Sequence, residues 1–241
     1  LKTIIWIGDS INHQNPWTTY PQTGIAQAFD RYVEWDVVIW DRAENGRSTK
    51  SYLDEGWFEP VREELKAGDF LFIQFAHNDE KKADPNRYTE PETTFTENLK
   101  IFIDAALDRG AHPVLLTPAE RCLFDEEGNL SETGHAPYAK AILAAGRKFG
   151  VPVIDLWSKS RAFLEKEGPK AARYYMHLEP EEAVWCPEGQ KDSSHLKYEG
   201  AFLYGGMVAE ELQKLGGIYA DLIWTPEKEK DPFANLQGKE L

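Results

Sequence analysis

The sequence predicts an α/β protein, a three-layer α/β/α sandwich built on a five-stranded parallel sheet. Three observations predict it. Five short, nearly continuous apolar runs recur along the chain, as strands covered on both faces require. Segments of helical periodicity separate those runs. Glycines then stop most of the segments, at Gly68, Gly110, Gly150 and Gly216-Gly217. Right-handed crossovers between parallel strands favour a flavodoxin-like order, 2-1-3-4-5.

The first strand is expected over residues 2–7, where Ile4-Ile5-Trp6-Ile7 runs apolar up to a glycine. A helix over 24–32 follows the Pro21 turn. The second strand spans 36–40, and a helix over 57–67 leads to the third strand over 69–76. The next helix, 94–109, places Phe95, Leu99, Phe102, Ile103, Ala106 and Leu107 at helical spacing. A fourth strand over 112–117, a helix over 136–149, a fifth strand over 151–156 and a last helix over 200–215 complete the pattern. Two polar insertions, 78–93 and 124–134, follow strand ends and are expected on the functional face, where loops carry chemistry. Residues 157–190 read as mixed helix and loop, and 224–241 as a charged, proline-containing tail. At 241 residues the chain reads as a single domain, 1–241, with its core over about 2–215.

Composition narrows the partners. The net charge of −14 argues against nucleic acid, whose phosphates need clustered Lys and Arg. It argues equally against a polybasic membrane contact, and no stretch is long and apolar enough to span a bilayer. A polyanionic substrate is repelled at long range unless basic residues are focused at the site. No Cys/His spacing reads as a structural zinc site, and the serine chemistry read from the segments below needs no cofactor. Cys122 and Cys186 read as two free thiols or one bridge, with free thiols favoured. The chain starts on its first strand without a Met, so its N-terminus reads as trimmed. Its place stays open between the cytoplasm of a bacterial cell and secretion, and its oligomeric state stays unassigned.

Four short segments carry chemistry. Gly8-Asp9-Ser10 closes the first strand and sets a hydroxyl at the carboxyl edge of the sheet, where open α/β sheets bind ligands. Serine alone is a weak nucleophile and needs a base. Asp192-Ser193-Ser194-His195, on a polar turn ahead of the last helix, supplies one. Its spacing lets Asp192 orient the His195 imidazole, leaving the other ring nitrogen for the Ser10 proton. Gly46, after the second strand, lets a backbone N–H approach a ligand closely. His77-Asn78-Asp79 follows the third strand and offers the Asn78 amide as a donor. Ser10, Gly46 and Asn78 are the candidate oxyanion hole. Losing one such donor costs roughly 3–4 kcal/mol of barrier lowering. Asp9 reads as the residue that shapes the turn by accepting backbone N–H bonds.

In order and in placement these segments resemble the four blocks of the SGNH (GDSL-like) hydrolase superfamily, over residues 2–215. A narrower resemblance joins Tyr20-Pro21-Gln22-Thr23-Gly24, Gly46-Arg47-Ser48 with Ser51-Tyr52, Gln74-Phe75, and Thr117-Pro118-Ala119-Glu120-Arg121. These look like the rhamnogalacturonan acetylesterases. The resemblance implies the SGNH hydrolase fold and a metal-independent serine esterase that removes acetyl groups from pectin-derived oligosaccharides. Two departures stand out: Ile11 where the family commonly has Thr, and Ala76 where Gly is common. Within the superfamily an acetyl-xylan or other sugar esterase, a lysophospholipase and a thioesterase stay open. From a different class, so does a carbohydrate-binding pseudoenzyme.

Five further residues are candidate substrate contacts. Arg47 and Arg121 follow strand ends and suit a uronate carboxylate, although ion pairing within an acidic chain explains them equally well. His135 lies near the fourth-strand loop. Trp17 and Tyr88 suit stacking on sugar faces, with ordinary packing as the plainer account.

Overall fold

The structure, a computed structural model, describes residues 1–225. Five parallel strands form its sheet: β1 (Lys2–Gly8), β2 (Val37–Asp41), β3 (Phe70–Gln74), β4 (His112–Leu116) and β5 (Val153–Ile154). Their order is β2-β1-β3-β4-β5, the order expected from right-handed crossovers. In β1 the side chains alternate between faces, as strand geometry dictates. Ile4 and Trp6 join one apolar cluster with Phe29, Leu164, Tyr204 and Val208. Ile5 and Ile7 join the other with Phe58, Leu99, Phe102 and Ile142.

The helices divide accordingly. On the first face lie α1 (Ile25–Ala28), α6 (Leu156–Glu167) and α7 (Tyr198–Leu215). On the second lie α2 (Thr49–Asp54), α3 (Phe58–Glu64), α4 (Thr96–Asp108) and α5 (His135–Phe149). A short α8 (Gly217–Ala220) follows α7. The core continues past residue 215, because Leu222 and Ile223 are buried and Ile223 bridges to Val33. Of the tail expected over 224–241, residues 226–241 lie outside the described residues.

Residues 157–190 hold more regular structure than their mixed composition suggested. Asp155 caps α6 by accepting the Ser158 N–H at 3.2 Å. Further on, β6 (Tyr175–Leu178) pairs antiparallel with β7 (Gln190–Leu196). The Asp192–His195 segment, expected as a turn, therefore belongs to a hairpin strand. Its register shows why it read as a turn. His177 opposes Lys191 and Tyr175 opposes Leu196, so residues 192–195 bulge opposite the single residue Met176. Such a bulge re-aims side chains away from the ladder.

Among the described residues, no helix is long and apolar enough to cross a membrane, and both cysteines are free.

The loop after β3 is tied down by Asp79. Its fully buried carboxylate accepts the Thr49 N–H at 3.0 Å, the Thr49 hydroxyl at 2.5 Å and the Thr89 hydroxyl at 2.9 Å. Asp79→Ala leaves these donors without their acceptor and is expected to destabilise the fold by about 3 kcal/mol, read by chemical denaturation. Burial raises the Asp79 pKa to about 7, against hydrogen bonds from Thr49 and Thr89 that lower it. The folded state thus holds a proton that the unfolded chain releases near pH 4. This group's contribution to stability falls as pH rises from about 4 to about 7. The penalty of Asp79→Ala should accordingly be smaller at about pH 8 than at about pH 5.

Candidate active site

Three adjacent strand ends converge on the site. Gly8 of β1 is in register with Gln74 of β3, and the Gly8 carbonyl accepts the Glu44 N–H, beyond β2, at 3.0 Å. Ser10, Gly46 and Asn78 thus follow neighbouring strand ends within a few residues of paired positions. Gly8 is required by close approach: a Cβ there would lie 2.5 Å from the Gln74 carbonyl oxygen and from Asn12 Nδ2. The chain then turns on Asp9, whose Oδ1 accepts the Ile11 N–H at 3.1 Å and whose carbonyl accepts the Asn12 N–H at 3.1 Å. This is the turn-shaping part expected of Asp9. Burial raises its carboxyl to about 6, opposed mainly by the Ile11 N–H.

Ser10 Oγ lies 2.8 Å from His195 Nε2, and His195 Nδ1 lies 2.7 Å from Asp192 Oδ2. The bulge in β7 makes this possible. Asp192 Oδ1 accepts the N–H groups of Ser194 and His195 at 2.8 and 3.0 Å, which turns the chain so that the two side chains meet. Burial raises the Asp192 pKa, but the hydrogen bond and charge of His195 and the two N–H donors outweigh it, and the net shift is downward. Asp192 is thus ionised near neutrality and can only accept. His195 Nδ1 must therefore carry the proton, and Nε2 accepts from the Ser10 hydroxyl. That geometry primes Ser10 for attack on an electrophilic carbon.

Gly46 has φ +75°, a left-handed conformation that favours glycine. The following segment starts α2 through a reciprocal cap: Ser48 Oγ accepts the Ser51 N–H at 3.1 Å, and Ser51 Oγ accepts the Ser48 N–H at 2.9 Å. Asn78 is buried, and its Nδ2 donates to the Arg47 carbonyl at 3.0 Å. Ala76 has φ +141°, a region where a Cβ is strained. That is a physical reason for glycine at this position in the resembled family.

Each candidate substrate contact has protein surroundings of its own. Arg47 donates from Nε and Nη2 to Glu55 Oε2 at 2.9 and 2.6 Å and lies over the Trp57 ring. Arg121 donates to Glu80 Oε1 at 2.6 Å. Both guanidinium groups are held by protein carboxylates, as charge balance in an acidic chain favours. His135 is enclosed. Its side chain is 0% exposed, with Nδ1 on Glu80 Oε2 at 2.7 Å and its ring edge-to-face with His77. The enclosed ring packs against His77 and steadies the loop. Burial, together with the charges of His135, Arg121 and His195, holds the His77 pKa well below the usual histidine range. Trp17 is 87% exposed on a short 3-10 helix, and the Tyr88 hydroxyl donates to Glu90 at 2.7 Å.

Two residues near the strand ends went unsingled in the sequence. Lys81 Nζ donates to Asn78 Oδ1 at 2.7 Å, and Arg87 Nη1 reaches the same oxygen at 3.4 Å. Their signal was two cations in the polar 78–93 insertion, close behind His77-Asn78-Asp79.

Comparisons with known proteins give the family of the chain and its structural neighbours. Residues 6–182 match the GDSL-like Lipase/Acylhydrolase family, a span that stops short of Asp192 and His195. A rhamnogalacturonan acetylesterase of Bacillus subtilis is 36% identical over 210 residues, covering 87% of this chain and 88% of the relative. A probable rhamnogalacturonan acetylesterase of the same organism is 32% identical, covering 89% and 90%. Among solved structures, the Bacillus subtilis protein YxiM superposes with a TM-score of 0.72 at 24% identity. That match covers 89% of this chain, which spans only 57% of YxiM. The acetylxylan esterase Axe2 of Geobacillus stearothermophilus gives a TM-score of 0.59 at 14% identity, covering 87% and 93%. At such identities the two structures speak for the shared fold.

Proposed function

The chain belongs to the GDSL-like lipase/acylhydrolase family and is a carboxylic ester hydrolase; on that premise we propose that it removes O-acetyl groups from carbohydrate, rhamnogalacturonan oligosaccharides foremost, through an acetyl-enzyme on Ser10. The observation that carries the reading is the hydrogen-bonded chain from Asp192 through His195 to Ser10. The substrate class rests on the acetylesterase relatives, whose similarity extends over most of their length.

In the proposed reaction Ser10 Oγ attacks the acetyl carbonyl carbon while His195 Nε2 takes the hydroxyl proton. Negative charge collects on the carbonyl oxygen. The N–H groups of Ser10 and Gly46 and the Asn78 amide hold it, already oriented before charge develops. The imidazolium is stabilised by ionised Asp192 and returns its proton to the departing sugar oxygen. Water, deprotonated by His195, then attacks the acetyl-enzyme, and the imidazolium returns that proton to Ser10 Oγ as its bond to the acyl carbon breaks and acetate leaves.

The test is acetate release from three substrates: acetylated rhamnogalacturonan oligosaccharides, acetylated xylo-oligosaccharides and a nitrophenyl octanoate. The expected kcat/KM is at least about tenfold higher for the first than for the second, roughly the discrimination one well-placed contact supplies. A preference for xylo-oligosaccharide would move the substrate assignment. Efficient octanoate turnover would move it to lipid or thioester chemistry. Binding of acetylated oligosaccharide without acetate release would indicate a pseudoenzyme.

A further inference from the structure

Asn78 is held by more positive charge than its packing requires. Oδ1 receives Lys81 Nζ at 2.7 Å and Arg87 Nη1 at 3.4 Å, while Nδ2 donates to the Arg47 carbonyl at 3.0 Å. An ammonium and a guanidinium can only donate, and a carbonyl can only accept. The amide therefore has one allowed orientation. A flip would set its NH2 against two cations and its oxygen against a carbonyl. The nitrogen has two hydrogens, and one is engaged by Arg47. The second has no protein partner among the described residues.

The same cations lie beside the glycine end of the oxyanion hole. A Cβ on Gly46 would sit 3.6 Å from Arg87 Nη1. Arg87 is tethered by its Nε to Asp84 Oδ2 at 2.9 Å. Lys81 is placed by the backbone turn in which its N–H reaches the Asn78 carbonyl at 3.3 Å. It forms no ion pair with the described residues, although the sequence has 41 acidic residues against 27 Lys and Arg. Although Lys81 is exposed, it passes over so many carboxylates for a neutral amide oxygen that the contact calls for a reason.

We propose that Lys81 is a positioning residue for the oxyanion hole, with Arg87 in support, acting through the Asn78 amide. The inference rests on the reading of Asn78 as an oxyanion donor. A cation on Oδ1 draws electron density across the amide and makes the free Nδ2–H a stronger donor. It also prevents the flip that would present an oxygen to the oxyanion. Charge on the acetyl oxygen is largest in the transition state, so the benefit falls on kcat and leaves KM nearly unchanged.

The test is a double-mutant cycle with nitrophenyl acetate, a neutral substrate too small to reach remote subsites. Lys81→Met is expected to lower kcat about ten- to hundredfold, as for loss of a hydrogen bond to a charged group. KM should change less than about twofold, and Lys81→Arg should restore most of kcat. In an Asn78→Ala background, Lys81→Met should cost less than about twofold more, because its route of action is gone. Lys81→Gln, which keeps a donor without the charge, serves if the Met variant unfolds, and should also lose kcat. Equal losses in both backgrounds, or a rise in KM at unchanged kcat, would overturn the proposal. If Asn78→Ala itself leaves kcat unchanged, the oxyanion reading fails first and separately.

Discussion

Replacing Ser10 with alanine is expected to lower kcat for acetyl ester hydrolysis by about a millionfold, the scale seen when a serine hydrolase loses its nucleophile. The structure supplies the reason that the loss should be chemical. Ser10 Oγ has one hydrogen-bond partner among the described residues, His195 Nε2. The turn that presents it is held by backbone groups and by Asp9, all of which remain in the variant. The thermal midpoint should thus move by no more than a surface substitution would cause. Residual catalysis by the oxyanion donors is expected to leave a rate about a thousandfold above water. Turnover within tenfold of the parent, in a protein with an unchanged circular dichroism spectrum, would remove Ser10 from the mechanism.

The second large effect is expected at Asp192. Asp192→Asn should lower kcat about ten-thousandfold while the fold persists. Asparagine Oδ1 can still accept the N–H groups of Ser194 and His195, so the bulge in β7 has its turn. Its Nδ2, however, must donate to His195 Nδ1. That leaves the ring proton on Nε2, facing Ser10 Oγ, where a lone pair is needed. The substitution reverses the tautomer and removes the base without moving it. Asp192→Ala leaves the tautomer unspecified and loses the turn as well, so it should combine a smaller tautomer effect with a structural one. The comparison is read in kcat for both variants, with stability followed separately. The folded Asp192 pKa is lowered, so its favourable contribution is present near neutrality and is lost as pH falls through the folded value. Asparagine should abolish that acid-limb dependence.

Much of the candidate site could be read before the fold was known, because its parts sit at strand ends. Ile4-Ile5-Trp6-Ile7 predicts a covered strand, and a covered strand that stops at Gly8 places Ser10 at a sheet edge. The same reasoning places Gly46 and Asn78, and the order β2-β1-β3 makes their strands neighbours. Asp192 and His195 were legible as a pair through their spacing but not through their element. They lie on a strand whose polar residues lack the apolar alternation that marks one, because they bulge out of its ladder.

The sequence by itself determined the sheet, its order, the buried face of α4 apart from exposed Leu107, and the segments that carry Ser10 and the Asp192–His195 pair. All of these depend on periodicity or on spacing along the chain, which local sterics and burial impose. Only the tertiary structure decided what the charged side chains do. Arg47 and Glu55 are eight apart, and Arg121 and Glu80 are forty-one apart. His135 meets Glu80 across fifty-five positions. A charge chooses its partner by distance and burial in three dimensions, and an acidic chain offers too many carboxylates for composition to name one. For the same reason the contact of Lys81 and Arg87 with the Asn78 oxygen became visible only once the 78–93 loop had folded back on its own first residue.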